Sequence, residues 1–225
     1  MNSKRVITVS TIAALILTAT LALATPNAKA FPVNATEFGR TYAQWSAQWW
    51  QWLLSIPFSI NPTNDTTGKD CNLAQSQPLF FLAGIGSGGV VTRSCTVPCT
   101  KPLFFPLLNV ECSSVETGTP FFGATAADRV DCAQGIMDGV GLDALKANID
   151  GIEVDDSLNH FRVPSPDFNF TMPADGNLLG LPGVTSGSST SDGYWLMVMP
   201  HPRASTRYTS RRPSFPGSAR VTHKT

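Results

Sequence analysis

Residues 41–56 read TYAQWSAQWWQWLLSI and hold four of the five tryptophans of the chain. At about 100° per residue on a helix, Tyr42, Trp45, Trp49, Trp52, Leu53 and Ile56 fall on one stripe, and Gln44, Gln48, Gln51 and Ser55 line a polar flank. The pattern predicts an amphipathic helix whose ends are set locally. Thr41 is a capping residue with Gln44 at capping-box spacing, and Pro57 disfavours continuation of the helix. The shared stripe assigns Trp45, Trp49 and Trp52 to the core. Trp50 lies off the stripe. Together with Trp195, beside the Asp192-Gly193 turn, it is the candidate ligand-binding pair, because a flat ring with a polar N–H can stack on a sugar or sit at an interface.

Upstream of this stretch, Lys4 and Arg5 precede a mostly apolar run, Val6 to Ala24, and Ala28-Lys29-Ala30 has the small-x-small pattern of a cleavage site. Residues 1–30 are therefore read as a signal peptide cut before Phe31. An uncleaved anchor is the alternative, since about 19 residues just span a bilayer, but Ser10, Thr11, Thr18 and Thr20 dilute the run. The expected product is exported, periplasmic or extracellular, with no transmembrane segment after cleavage. Residues 31–200 suffice for one globular domain that buries about 70% of its unfolded surface.

Formal net charge is zero, yet residues 31–200 hold all sixteen acidic groups against seven basic ones (Arg40, Lys69, Arg93, Lys101, Arg129, Lys146, Arg162). An acidic body argues against a nucleic-acid partner. The five cysteines, Cys71, Cys95, Cys99, Cys112 and Cys132, all follow the proposed cleavage point. An oxidising compartment makes disulfides the natural reading, with one cysteine left over, and the residues themselves leave the pairing open. Cys95 and Cys99 lack the second pair or nearby His of a zinc site.

Downstream, Asn61 to Lys69 is turn chemistry. Short apolar runs bounded by Gly and Pro then predict strands at Pro78–Ala83, Val90–Val97 and Leu103–Val110, with Pro106 marking an edge or a bulge. Thr125–Asp138 is a second, shorter helix stopped at Gly139. Asp150-Gly151, between two alternating arms, signals a hairpin. Leu158–Val163, Phe168–Met172 and Tyr194–Met199 are read as further strands, and Gly183–Asp192 as a loop. The expected fold is mainly β: an antiparallel β-sandwich-like single domain with one long N-terminal tryptophan-rich helix and a shorter second helix.

Few motifs carry chemistry. Gly84-Ile85-Gly86-Ser87-Gly88-Gly89 matches a dinucleotide fingerprint, but Val90-Val91-Thr92 is strand-like where a helix must begin, so a hairpin connection is expected. No serine has a nucleophile-elbow setting. His160 is the one histidine within residues 31–200 and the sole ordinary base for a nucleophile. The acidic cluster Asp143, Asp150, Glu153, Asp155 and Asp156 could bind a divalent cation such as Ca²⁺, although Lys146 breaks an EF-hand pattern. A solvated hairpin and loop is the plainer reading. A metal held by Asp150 and Glu153 near His160, Asp155 and Asp156 would polarise a carbonyl and activate water for hydrolysis of an ester or lactone. Two functions follow: an exported domain that binds a small molecule, glycan or envelope partner, or a metal-assisted hydrolase of a small ester or lactone.

The chain resembles a group of exported bacterial proteins marked by a WSxxWWQW helix and a DGYW strand. The residues that carry the resemblance run from about Gly39 to Met199. They are Trp45-Ser46, Trp49-Trp50-Gln51-Trp52, Ser55-Ile56-Pro57, Asn61-Pro62, Asp65-Thr66-Thr67-Gly68, Cys71, Phe81-Leu82-Ala83-Gly84, Arg93-Ser94-Cys95-Thr96-Val97-Pro98, Phe104-Phe105-Pro106, Asn109, Glu111-Cys112, Asp150-Gly151 and Asp192-Gly193-Tyr194-Trp195. No activity comes with it. The resemblance implies pairing of Cys71 with Cys95 and of Cys112 with Cys132, leaving Cys99 free. It stops after Pro200, where relatives continue through a Pro-Gly-Lys-His turn into a closing strand. Codon degeneracy lets the DNA behind Pro202–Ser210 read, two bases out of step, as Ala-Gly-Lys-His-Ala-Leu-His-Phe. A frameshift near His201 is therefore expected, and the alternative for residues 201–225 is a natural basic, disordered tail.

Overall fold

Thr41 terminates a short extended segment and caps the helix that follows. Its hydroxyl accepts from the Gln44 backbone N–H, and the Gln44 side chain accepts from the Thr41 N–H at 3.0 Å, closing the capping box. The computed structural model describes residues 30–86, 89–98, 100–140, 145, 147–149, 152–153, 158–199 and 207–212. In chain order its elements are β1 (Thr36–Glu37), β2 (Arg40–Thr41), α1 (Tyr42–Leu54), β3 (Phe80–Phe81), β4 (Gly89–Ser94), β5 (Leu103–Ser113), α2 (Ala126–Asp138), β6 (Asn148–Ile149), β7 (Ile152–Glu153), β8 (Phe168–Thr171), β9 (Ser186–Val198) and β10 (Arg207–Arg212).

The architecture rests on β5 and β9, which run antiparallel from Leu103↔Val198 to Ser113↔Ser189. The register shifts between Pro106 and Leu108, so Leu107 forms a bulge where Pro106 has no N–H to donate. β3 adds to β5 in parallel and β8 adds to β9 antiparallel, giving a mixed four-stranded sheet in the order β3-β5-β9-β8. Side chains alternate across it. Phe81, Phe104, Trp195 and Met197 meet Tyr42, Trp45, Trp49, Trp52, Leu53 and Ile56 of α1 and the turn after it. On the opposite face, Leu108, Val110, Cys112 and Tyr194 meet Ala133 and Met137 of α2.

The described residues are thus mainly β with two helices, and one mixed sheet with a helix against each face stands where an antiparallel sandwich was expected. The apolar stripe of α1 covers the face that a second sheet would have covered. The two helices are equal in length at 13 residues each, so α1 is not long and α2 is not the shorter. Four other expectations are corrected. Residues Leu158–Phe161 form a 3-10 turn and not a strand. The Gly/Ser/Thr-rich stretch read as a loop is the first half of β9. β3 and β4 are not a hairpin, since β3 pairs with β5 and β4 with β10; Ser87 and Gly88 lie outside the described residues. Arg207–Arg212 is that partner strand, not part of an unstructured tail. The expected hairpin around residues 150–151 appears as the β6–β7 ladder, Asn148↔Glu153 and Ile149↔Ile152.

Two disulfides, Cys71–Cys95 and Cys112–Cys132, bridge Cα atoms 6.0 and 6.2 Å apart. They are the pairs that the resemblance implied. The second ties α2 to β5. Two ion-pair networks reinforce that face: Arg129 on α2 grips Asp167 through Nε and Nη2 at 2.8 and 2.9 Å, and Arg162 joins Asp138 on α2 to the buried Asp192 on β9. Cys99, the proposed signal peptide (residues 1–29 of it) and residues 213–225 lie outside the described residues.

Candidate functional site

A buried indole N–H needs an acceptor, because its lost hydration costs free energy otherwise. Three tryptophans meet this need with backbone carbonyls: Trp45 donates to Glu37 O at 2.9 Å, Trp49 to Leu82 O at 3.0 Å and Trp52 to Leu73 O at 2.9 Å. The indole N–H groups of Trp50 and Trp195 are buried and have no partner. These are the two tryptophans that the sequence singles out.

Their positions differ from the expected open platform. Trp195 is 0% exposed and lies flat on Phe104, ring centroids 5.2 Å apart at an interplanar angle of 6°. It cannot stack on a ligand at the protein surface. Trp50 is half-buried and packs at the junction of the α1–sheet core with the β8 cluster of Phe168, Phe170 and Met172. Both rings contact Trp49 edge-on, at 5.2 Å for Trp50 and 5.3 Å for Trp195. On the same sheet face, Asn109 of β5 also buries its Nδ2 without a partner. It sits opposite Gly193, where a Cβ would lie 2.6 Å from Leu108 O and 2.7 Å from Asn109 Cβ. Only glycine admits that close approach.

Further along the same face is a cluster of carboxyls and hydroxyls. The ladder pairs Glu111 with Ser191 and Ser113 with Ser189. Glu111 Oε2 accepts from Ser189 Oγ, and Ser113 Oγ donates to Glu116 Oε2 at 2.8 Å. Burial, followed by the neighbouring Glu116 carboxyl, holds Glu111 well above the usual carboxylate range. Burial also raises Glu116. Ser191 Oγ, on a residue 0% exposed, has no partner.

Of the residues expected to carry hydrolysis, only His160 and Glu153 lie among the described residues. His160 closes the 3-10 turn Leu158–Phe161 and is exposed; Glu153 lies in β7; Asp143, Asp150, Asp155 and Asp156 lie outside the described residues. Among the described residues, no three or more His, Cys, Asp or Glu side chains are grouped to hold a metal ion. The cluster that does form was missed for a local reason. Glu111 and Ser113 fall beyond Val110, where the apolar run of β5 stops, and Ser189 and Ser191 fall in a stretch whose composition suggests a loop. Continuing the β5 alternation from Asn109 through Glu111 to Ser113 would have placed the acid on the α1 face.

Fold and face together define a disulfide-braced, β-rich domain whose tryptophan-covered sheet face carries unpaired donors and the buried Glu111 with Glu116 beside it. No protein-family model, curated protein or solved structure matches the chain. Among the described residues, no helix is long and apolar enough to cross a membrane, and the two disulfides fit maturation in an oxidising compartment.

Proposed function

We propose that this chain is an exported binding domain, periplasmic or extracellular and related to the exported group with the WSxxWWQW helix, that takes a small acceptor-rich molecule at Trp50, on the edge of its tryptophan face. The observation that carries the reading is that Trp50 and Trp195 alone among the five tryptophans leave the indole N–H unspent, with Asn109 Nδ2 on the same face. Partnerless N–H donors suit a ligand whose hydroxyl, ether or carbonyl oxygens accept, as in a small glycan or a lactone. Trp50, half-buried at the edge of the core, is the point of entry. In the hydrolase alternative the base would be His160, which is exposed.

The test is a thermal-shift and tryptophan-fluorescence screen against monosaccharides, N-acetylated sugars, disaccharides and lactones. The expected result is a ligand that raises the melting temperature and shifts the emission, and that binds about tenfold more weakly to Trp50→Phe, the loss of one hydrogen bond. A panel that leaves both signals unmoved, or a ligand that binds Trp50→Phe equally well, overturns the reading.

A further inference from the structure

We propose that Glu111, Glu116, Ser113, Ser189 and Ser191 form an oxygen-lined site for a hard divalent cation of the Ca²⁺ type. The inference is independent of the ligand proposed above and uses different residues. Cross-strand neighbours on one sheet face place their Cβ atoms about 5 Å apart. The pairs Glu111↔Ser191 and Ser113↔Ser189 therefore gather one carboxyl and three hydroxyls into a small area of the α1 face. Glu116, in the turn just after β5, brings the second carboxyl back onto Ser113 and hydrogen-bonds Glu111. The set offers seven side-chain oxygens and no nitrogen or sulfur, the donor chemistry of Ca²⁺ and not of zinc or copper.

Two features point beyond a structural acid pair. First, Glu111 is buried and Glu116 is brought back toward it at Ser113, so two carboxyls gather where water is scarce and like charges repel strongly. A doubly charged cation between them neutralises both at once. Second, Ser191, directly across the ladder from Glu111 on the same face, has a buried Oγ with no hydrogen-bond partner, so its lone pairs remain available beside the carboxyl pair. Glu116 is half-buried on a turn and gives the ion a route in and the adjustable ligand that Ca²⁺ coordination tolerates better than Mg²⁺ coordination does.

The experiment uses the full chain and Tb³⁺ as a luminescent Ca²⁺ substitute, excited through the tryptophans that lie on the same face. The expected result is saturable sensitised emission that excess Ca²⁺ displaces, together with a melting temperature at neutral pH about 3 °C or more higher in Ca²⁺ than in EDTA. Glu116→Gln and Glu111→Gln should each lower Tb³⁺ affinity at least tenfold, and the half-buried position of Glu116 makes its variant the safer folder. Absence of sensitised emission with no Ca²⁺-dependent melting shift overturns the proposal and leaves a proton-sharing acid pair. Emission that survives in both variants also overturns it, because the ion then sits elsewhere.

Discussion

Trp195 on β9 stacks on Phe104 of β5 with ring planes 6° apart, and this pair is the floor on which α1 sits. Trp49 meets Trp195 edge-on from above, at 5.3 Å and 72°. Around it Tyr42 fastens the helix to the sheet, its hydroxyl donating to Phe31 O at 2.7 Å and accepting from Met197 N at 3.2 Å. Burial raises that phenol above its ordinary value, so it stays a donor throughout the physiological range.

Replacing Trp195 by alanine removes the stack and opens a cavity beneath α1. We expect a loss of about 3–5 kcal/mol, measured by urea denaturation followed by circular dichroism. Trp195→Phe keeps an aromatic ring on Phe104 and should cost distinctly less. Equal losses for the two would show that the stack is not what holds α1 to the sheet.

The disulfide Cys112–Cys132 closes a loop of 20 residues and joins α2 to the central strand. Removing it with paired alanine substitutions should cost about 3 kcal/mol. Because Arg129–Asp167 and Arg162–Asp138 still anchor α2, its helical signal should persist below the lowered melting temperature.

Asp65 organises the turn after α1. Its carboxylate accepts from Thr67 N at 2.8 Å, Thr67 Oγ1 at 2.7 Å and Asp70 N at 2.9 Å. Burial opposes ionisation, but these donors outweigh it and hold the group below its ordinary value of 3.8. A depressed carboxylate stabilises the fold above its unfolded pKa and loses that contribution as pH falls through the folded value. Melting temperature should therefore drop on acidification below about pH 4, and Asp65→Asn should lower stability at pH 7 by about 1–3 kcal/mol while flattening that acid limb. An unchanged acid limb in the variant would assign the drop to other carboxyls.

The β1–β2 turn places Phe38 at φ +53° with its side chain 49% exposed. A bulky residue in the left-handed region is strained, and the exposed ring gains little by packing. Phe38→Asn should raise stability by up to about 1 kcal/mol, read as a higher melting temperature. A fall would mean that the ring has a packing role that its exposure does not suggest.

How far local chemistry reaches can be seen residue by residue. Thr41, Gln44 and Pro57 set the ends of α1, and its stripe placed Trp45, Trp49 and Trp52 correctly in the core, because capping and 3.6-residue periodicity act within a few positions. Thr125 and Asp128 do the same for α2, where Thr125 caps and Asp128 completes a second capping box. The β6–β7 hairpin was visible because its turn sits inside the stretch it reverses. The resemblance, not the spacing, anticipated the disulfide pairs.

Other features depend on partners distant in sequence. Ser186–Ser191 has the composition of a loop and becomes strand because β5 on one side and β8 on the other take up its backbone groups. β3 runs parallel to β5, a pairing that no turn between them could announce. Trp50 looked exposed because helical geometry alone placed it off the stripe, whereas the β8 cluster covers that flank. Trp195 stands beside a turn-like dipeptide and is nonetheless the most enclosed tryptophan together with Trp45, because the sheet turns it toward α1. By itself the sequence determined the two helices and the hairpin, whose interactions are local. The tertiary structure decided the single mixed sheet, the burial of Trp195 and the placing of Glu111 against Ser189 and Ser191, because strand pairing and burial arise between segments far apart in the chain.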